Sequence, residues 1–298
     1  MDKEVPMSKC FLCPRECGAD RRAGELGFCT QGEDLRVARI APHMFEEPPI
    51  SGTRGSGTVF FVGCSMGCVF CQNRDISRGS AEGKMLTPKE LSDAFLSLQD
   101  MGVHNINLVT PTHFSKGIRR ALELSRHKLT IPVVYNTSGY EKTEALRELE
   151  GLIDVYMPDM KYASEETAKK YSGAPDYPLI AIRAIKEMYR QVGAYSYGDG
   201  GLLKKGLLIR HLILPSNRKD SIAVLELLAR ELPTKSVLLS LMSQYTPDFA
   251  MDCPYPELHR RLTSFEYSSV LEHAAALGFD GFMQGRASAS RGFTPDFN

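Results

Sequence analysis

Thr58-Val-Phe-Phe-Val-Gly-Cys-Ser-Met-Gly-Cys-Val-Phe-Cys-Gln-Asn73 is the stretch whose reading decides the fold. An apolar run rich in β-branched and aromatic residues predicts a buried strand over 58–62. Directly after it, Cys64, Cys68 and Cys71 form a CxxxCxxC triplet. Spacings of four and three also place side chains on one helical face, and buried free cysteine is common. Gly63 and Gly67 argue instead for a tight loop closing around a ligand. Three thiolates plus a histidine or a water would suit zinc. Equally, they would hold three corners of a four-iron cluster and leave the fourth iron open to a small molecule, whereas electron-transfer clusters usually take four cysteines.

Working outward, short Val-, Ile- and Leu-rich runs recur at 105–109, 132–136, 153–157, 206–214 and 237–242. Helical segments fit between them. Thr87-Pro-Lys-Glu90 reads as a capping box opening a helix to about Met101, and others are expected at 115–127, 141–150, after Ser164, at 178–192 and from about Asp220 to Glu231. Thr263-Ser-Phe-Glu266 caps one more, closing at Gly278. Six βα units imply a parallel sheet with right-handed crossovers, but length alone does not choose between an open doubly wound sheet and a curved partial barrel.

The triplet, with Phe70 just before its last cysteine, resembles the signature of radical S-adenosylmethionine (SAM) enzymes. Within that superfamily the chain is most similar to the pyruvate formate-lyase-activating-enzyme branch and its PflX-like group, over about residues 10–250. The resemblance implies an α/β fold, a partial (β/α)6 barrel, with the site at the carboxyl ends of the strands. It implies a [4Fe-4S] cluster on Cys64, Cys68 and Cys71, and SAM bound at the open iron with its adenine near Phe70. The activity implied is reductive cleavage of SAM to a 5′-deoxyadenosyl radical that takes hydrogen from a substrate. A glycyl-radical enzyme is one option; another protein or a small molecule is the alternative. Flavodoxin or ferredoxin is the electron donor expected.

Several strand-end segments then become candidates for the SAM pocket. Asn107-Leu-Val-Thr110-Pro-Thr112-His113 stands where many radical SAM enzymes carry Gly-Gly-Glu, so Thr110 and Thr112 are expected near SAM, without identifying the group that accepts from its amine. Asn136-Thr137-Ser138-Gly139 is similar to the Asp-Thr-Asn-Gly of activating enzymes, which borders the SAM carboxylate and a cation. Asp159 and Lys161 resemble an Asp-Leu-Lys segment. At a strand end and two residues apart, they are expected to point to opposite sides and serve different groups. By resemblance Asp159 lies on the SAM side and Lys161 toward the substrate or the SAM carboxylate. Arg210, charged within an apolar strand, needs a partner such as a carboxylate, while His211 should face the other way. The catalytic candidates are thus Lys161 and Arg210. Gln244 is a candidate for hydrogen bonding to adenine or substrate, and Cys253 reads as structural.

A second cysteine set, Cys10, Cys13, Cys17 and Cys29, lies in a segment with little apolar side chain to build a core. A structural metal such as zinc, an auxiliary iron–sulfur cluster, or free thiols remain open for it. The expected division is 1–50 as this Cys-rich segment, 51–250 as the barrel and 251–298 as a helical extension. Zero net charge offers no general surface for nucleic acid, no apolar run approaches a membrane span, and the N-terminus lacks a signal peptide's apolar core. The chain is therefore expected in the cytoplasm, where clustered cysteines ligate metal rather than form disulfides.

Overall fold

The structure, a computed structural model, describes residues 9–78 and 81–283. Residues 284–298 of the expected C-terminal extension lie outside the described residues.

After the Cys-rich segment come β1 (Leu35–His43), α1 (Pro48–Ser51), β2 (Ser56–Phe61), α2 (Arg74–Ser77) and β3 (Lys84–Leu86). Strands and helices then alternate: α3 (Pro88–Asp100), β4 (Ile106–Val109), α4 (Ser115–Ser125), β5 (Val133–Thr137), α5 (Thr143–Arg147), β6 (Val155–Pro158), α6 (Glu165–Ser172) and α7 (Tyr177–Val192). The last part holds β7 (Ser196–Tyr197), β8 (Leu203–Leu212), α8 (Arg218–Glu231), β9 (Leu238–Met242), α9 (Ser264–Ala276) and β10 (Asp280–Met283). The sheet order is β10-β9-β8-β6-β5-β4-β2-β1-β3, with β7 added beside β8.

From β2 to β10 every neighbouring pair on this path is parallel. β2, β4, β5, β6 and β9 are buried along their whole length, which is why they read as mostly apolar runs rather than alternating ones. Helices pack outside. α3 and α9 open with the capping boxes expected of Thr87–Glu90 and Thr263–Glu266. α5 is shorter than its apolar pattern suggests, because turns follow Arg147.

The expected strands are thus all present, and two features were not anticipated. β1 pairs antiparallel with both β2 and β3, extending the sheet beyond its parallel part. The segment after 250 is not only helical, since β10 adds a parallel strand beside β9.

The ends of six strands, β2, β4, β5, β6, β8 and β9, line one cavity. In a flat sheet six neighbouring strands would spread over roughly 24 Å, at about 4.8 Å per strand. Their convergence means that the sheet is curled into a partial barrel with its carboxyl ends around the cavity.

Candidate active site

β2 delivers the first wall. Its register places Phe61 at the strand's end, and Gly63 and Gly67 then turn the chain with φ of 89° and 75°. Cys64, Cys68 and Cys71 all line the cavity, as do Phe70 and the small helix α2 that follows. The sulfurs are held by local donors. The Met66 N–H donates to Cys64 Sγ (3.4 Å) and the Ser172 hydroxyl, from the end of α6, donates to Cys68 Sγ (3.0 Å). Burial raises the Cys64 thiol, and burial together with repulsion from Cys68 and Cys64 pushes Cys71 up to about 12. Three mutually repelling buried thiolates are an unfavourable set unless positive charge sits among them, and such a donor set fits a bound metal cluster. Among the described residues no three His, Cys, Asp or Glu side chains close round one point as a single ion requires. Cysteines that each take a different iron of a cluster need no such closure.

The opposite wall is ionic. Lys161 Nζ donates to Asp159 Oδ2 (2.6 Å), and Arg210 Nε donates to Asp159 Oδ1 (3.1 Å). Arg210 Nη2 reaches Asn136 Oδ1 (2.6 Å), and Nη1 reaches Glu46 Oε2 (3.4 Å). Asn107 and Asn136 both donate to Glu46 Oε1 (3.0 and 3.4 Å). Side-chain exposure is 19% for Lys161, 16% for Arg210, 14% for Asp159 and 9% for Glu46, so these charges interact with little screening. Burial works against the ionised Asp159, but Lys161 and Arg210 outweigh it and hold the carboxyl below its ordinary range. Burial likewise works against the charged forms of Lys161 and Arg210, and Asp159 more than reverses it, so both are raised. Glu46 is pushed up to about 7, mainly by burial, with Arg210 opposing.

Asp159 and Lys161 therefore do not point apart. Side chains two apart on an extended chain share a face, and the bridge between Asp159 and Arg210 carries the extended chain past the end of β6, so the two meet as one pair. Two buried carboxylates and two buried cations around one cavity complement a zwitterionic group, which is what the amino-acid part of SAM presents. The donors present on the two walls fit both the cluster and SAM.

The remaining candidates divide cleanly. Thr110, Asn136, Thr137, Ser138 and Gln244 line the same cavity, whose volume is ≈ 220 Å³. Thr110 has φ 60°. For a β-branched residue this left-handed conformation is strained, and such strain clusters where a ligand is gripped. Phe70 stands edge-on to Tyr171 and Tyr245, with ring centroids 6.4 and 6.2 Å away. Thr112 is not part of the lining. Its hydroxyl donates to Glu141 (2.6 Å), a buried carboxylate that also takes the Thr137 hydroxyl. His113 and His211 are core residues, each with one ring nitrogen donating to a carbonyl, Val62 and Met160 respectively, at 2.7 Å. Burial lowers both to about 4, so they are neutral. Cys253 packs against the core, as a structural residue would.

Sequence reasoning missed Glu46, Glu141 and Ser172. Glu46 sits in Met44-Phe-Glu-Glu47, which carries no motif, and only the antiparallel pairing of β1 with β2 brings it under the barrel mouth. The one available signal was an acidic pair between two apolar segments.

Residues 58–200 match the model of the Radical SAM superfamily. The barrel is of the radical SAM type. The chain is 29% identical to an uncharacterized protein of Methanocaldococcus jannaschii, over 94% of this chain and 80% of the relative. Among solved structures, it resembles a radical SAM methyltransferase from Sphaerobacter thermophilus, with a TM-score of 0.53, 16% identity and coverage of 79% of this chain and 69% of that one. It also resembles SuiB of Streptococcus suis, with a TM-score of 0.51, 14% identity and coverage of 75% of this chain. The chain spans 47% of SuiB's length. At these identities the likeness is one of fold. The superfamily match supports iron–sulfur and SAM binding and an enzymatic role. Among the described residues no helix is long and apolar enough to cross a membrane.

Proposed function

We propose that this chain is a radical SAM enzyme of the activating kind, with Cys64, Cys68 and Cys71 holding a [4Fe-4S] cluster against SAM. The observation that carries this reading is the convergence of the three thiols and the Asp159–Lys161–Arg210–Glu46 network on one cavity at the strand ends. When bound, the cluster and SAM supply one-electron cleavage to a 5′-deoxyadenosyl radical, which takes a hydrogen atom from the substrate.

The chain's own residues do the holding. Cys64, Cys68 and Cys71 fix the cluster on the β2 side. Asp159 and Glu46 offer negative charge to an ammonium, and Arg210 and Lys161 offer positive charge to a carboxylate. Phe70 supplies an aromatic edge for the adenine, and Thr110, Thr137, Ser138 and Gln244 offer backbone and side-chain polar groups around it. Lys161 lines the cavity beside Asp159. His43 and Phe45 rim the cavity, and Phe45 is exposed. An aromatic rim of this kind suits a polypeptide segment and supports a protein substrate, with a glycyl-radical enzyme as the first candidate. A flavodoxin- or ferredoxin-type donor would supply the electron in the cytoplasm.

The reading is tested by anaerobic reconstitution with SAM and dithionite. 5′-Deoxyadenosine should form, and alanine at Cys64, Cys68 or Cys71 should abolish it. Undiminished product from any of these variants would refute the assignment. Mixing with candidate glycyl-radical enzymes should give an electron paramagnetic resonance doublet. Its absence with every candidate, while deoxyadenosine still forms, would move the substrate to another class.

A further inference from the structure

The four N-terminal cysteines are not used by the chemistry above, yet they are arranged like the three that are. Backbone N–H groups lie near three of their sulfurs, that of Arg15 near Cys13, those of Ala19 and Phe28 near Cys17 and that of Gln31 near Cys29. The N–H groups of Met66 and Gly67 stand likewise near Cys64, and that of Asn73 near Cys71. Hydrogen bonds of this kind aim a sulfur and stabilise its thiolate, as at metal-bound cysteines. The sulfurs also face one another. Cys17 and Cys10 are within hydrogen-bonding reach, and Gly27 leaves room between Cys17 and Cys29, whose sulfurs would lie 3.0 and 3.6 Å from a β-carbon there.

Two further observations point the same way. Among the described residues of this segment the only buried apolar side chains are Cys13, Ala19 and Cys29, while Phe11 and Leu26 are exposed. Nothing there amounts to a core. Glu16 and Thr30, each next to one of these cysteines, hold positive φ of 42° and 63°. A strained, coreless loop persists only if something else fixes it.

The same segment grips residues 63–67 of the cluster loop. Arg15 Nε donates to the Ser65 carbonyl (2.7 Å) and Nη2 to the Met66 carbonyl (2.7 Å). Its other bonds reach the Ser172 and Gly173 carbonyls (2.9 and 2.6 Å), at the end of α6 that hydrogen-bonds Cys68. The guanidinium lies 3.9 Å above the Phe28 ring, beside Cys29. Gly63 must be glycine because a side chain there would collide with the Cys29 carbonyl.

We propose that Cys10, Cys13, Cys17 and Cys29 hold a second metal centre through their sulfurs, and that this centre sets the position of the cluster loop through Arg15. The centre is an iron–sulfur cluster, because no three His, Cys, Asp or Glu side chains among the described residues close round one point as a single ion requires, whereas cysteines that each take a different iron need no such closure. The site does not depend on the radical reading. Only the role of Arg15 rests on it, because residues 63–71 are taken there as the cluster loop.

The site is tested in the full chain carrying C64A, C68A and C71A, purified without oxygen. About four iron with sulfide should remain. It should be lost when C13S and C29S are added. No iron in the triple variant, or unchanged iron in the quintuple one, overturns the site. Should the quintuple variant fail to fold, reconstitution of the metal-free triple variant with iron and sulfide decides: a cluster absorption spectrum with about four iron per chain supports the site and its absence refutes it. Arg15 is tested with otherwise native cysteines. Arg15→Lys keeps the charge and loses the fork, so metal content should stay while the midpoint potential and g-values of the Cys64–Cys71 cluster shift. Spectra and potential superimposable on the unmodified chain overturn the coupling.

Discussion

Asp159→Asn removes one negative charge from a buried set in which that charge serves two cations. Asp159 accepts from Lys161 at 2.6 Å and from Arg210 at 3.1 Å, and all three side chains are less than a fifth exposed. Deleting one partner of a buried ion pair typically costs about 3–5 kcal/mol, because the other charge is left uncompensated. Here two charges lose a partner, but Arg210 keeps Asn136 and Glu46. Lys161 keeps nothing of comparable strength. The lower end, ~3 kcal/mol, is therefore expected, which for a chain of this size lowers Tm by about 6–12 °C. The sign with pH follows from the direction of the shift. Asp159 has its folded pKa depressed, so its stabilisation is full above the unfolded value of about 4 and fades only as pH falls through the folded value. The gap between variant and unmodified chain should accordingly be constant from pH 6 to pH 8 and narrow only in strong acid. Added salt should change it little, since buried pairs are weakly screened. Thermal unfolding of the metal-free protein at three pH values measures this. A Tm within about 1 °C of the unmodified chain at pH 7 would show that the two cations do not rely on Asp159, and the account of the ionic wall would fall.

Glu141 is pushed up to about 7 by burial, against donation from Thr112 and Thr137, so the folded state holds a proton that the unfolded state releases near 4.5. Its contribution is full below that lower value and is lost as pH rises through about 7. Glu141→Gln should therefore flatten the fall in stability between pH 4.5 and 7 by about one proton's worth, read from urea midpoints across that range, and an unchanged slope would count against it. Gly63→Ala places a β-carbon on the Cys29 carbonyl at a positive φ, so iron and sulfide per chain after reconstitution should drop several-fold; full loading would show that the loop adapts. Thr110→Gly should be more stable than Thr110→Ala by about 1 kcal/mol in chemical denaturation, since left-handed backbone costs a non-glycine residue about that much. Equal midpoints would mean that the strain is relieved elsewhere.

How far the site could be read from the chain follows from which interactions are local. The parallel strands were legible because strands covered on both faces are mostly apolar, and the runs at 133–137 and 238–242 keep that character although Asn136, Thr137 and Ser240 interrupt it. The cysteine triplet was legible because its ligands lie within one loop. Arg210 was legible because a charge inside an apolar strand has to be satisfied, although its partners were not, since Asp159, Asn136 and Glu46 arrive from three other segments. Opposite sides were the wrong expectation for Asp159 and Lys161. Side chains two apart on an extended chain share a face, and the bridge of Asp159 with Arg210 keeps the chain extended past Pro158, so alternation itself puts them together. Glu46 was invisible for a different reason. It reaches the cavity through the pairing of β1 with β2, where Val37 meets Phe61 and His43 meets Ser56, a contact with no periodic signal of its own beyond a strand whose register shifts between Val37 and Arg39. Arg15 lay in plain sight as one of two charges between Cys10 and Cys17. Its four bonds to carbonyls 50 or more residues away belong to the tertiary structure alone. The residues that carry charge into the barrel and those that tie its rim are thus the ones that depend on long-range pairing, and these are the positions where substitution tests the reading most directly.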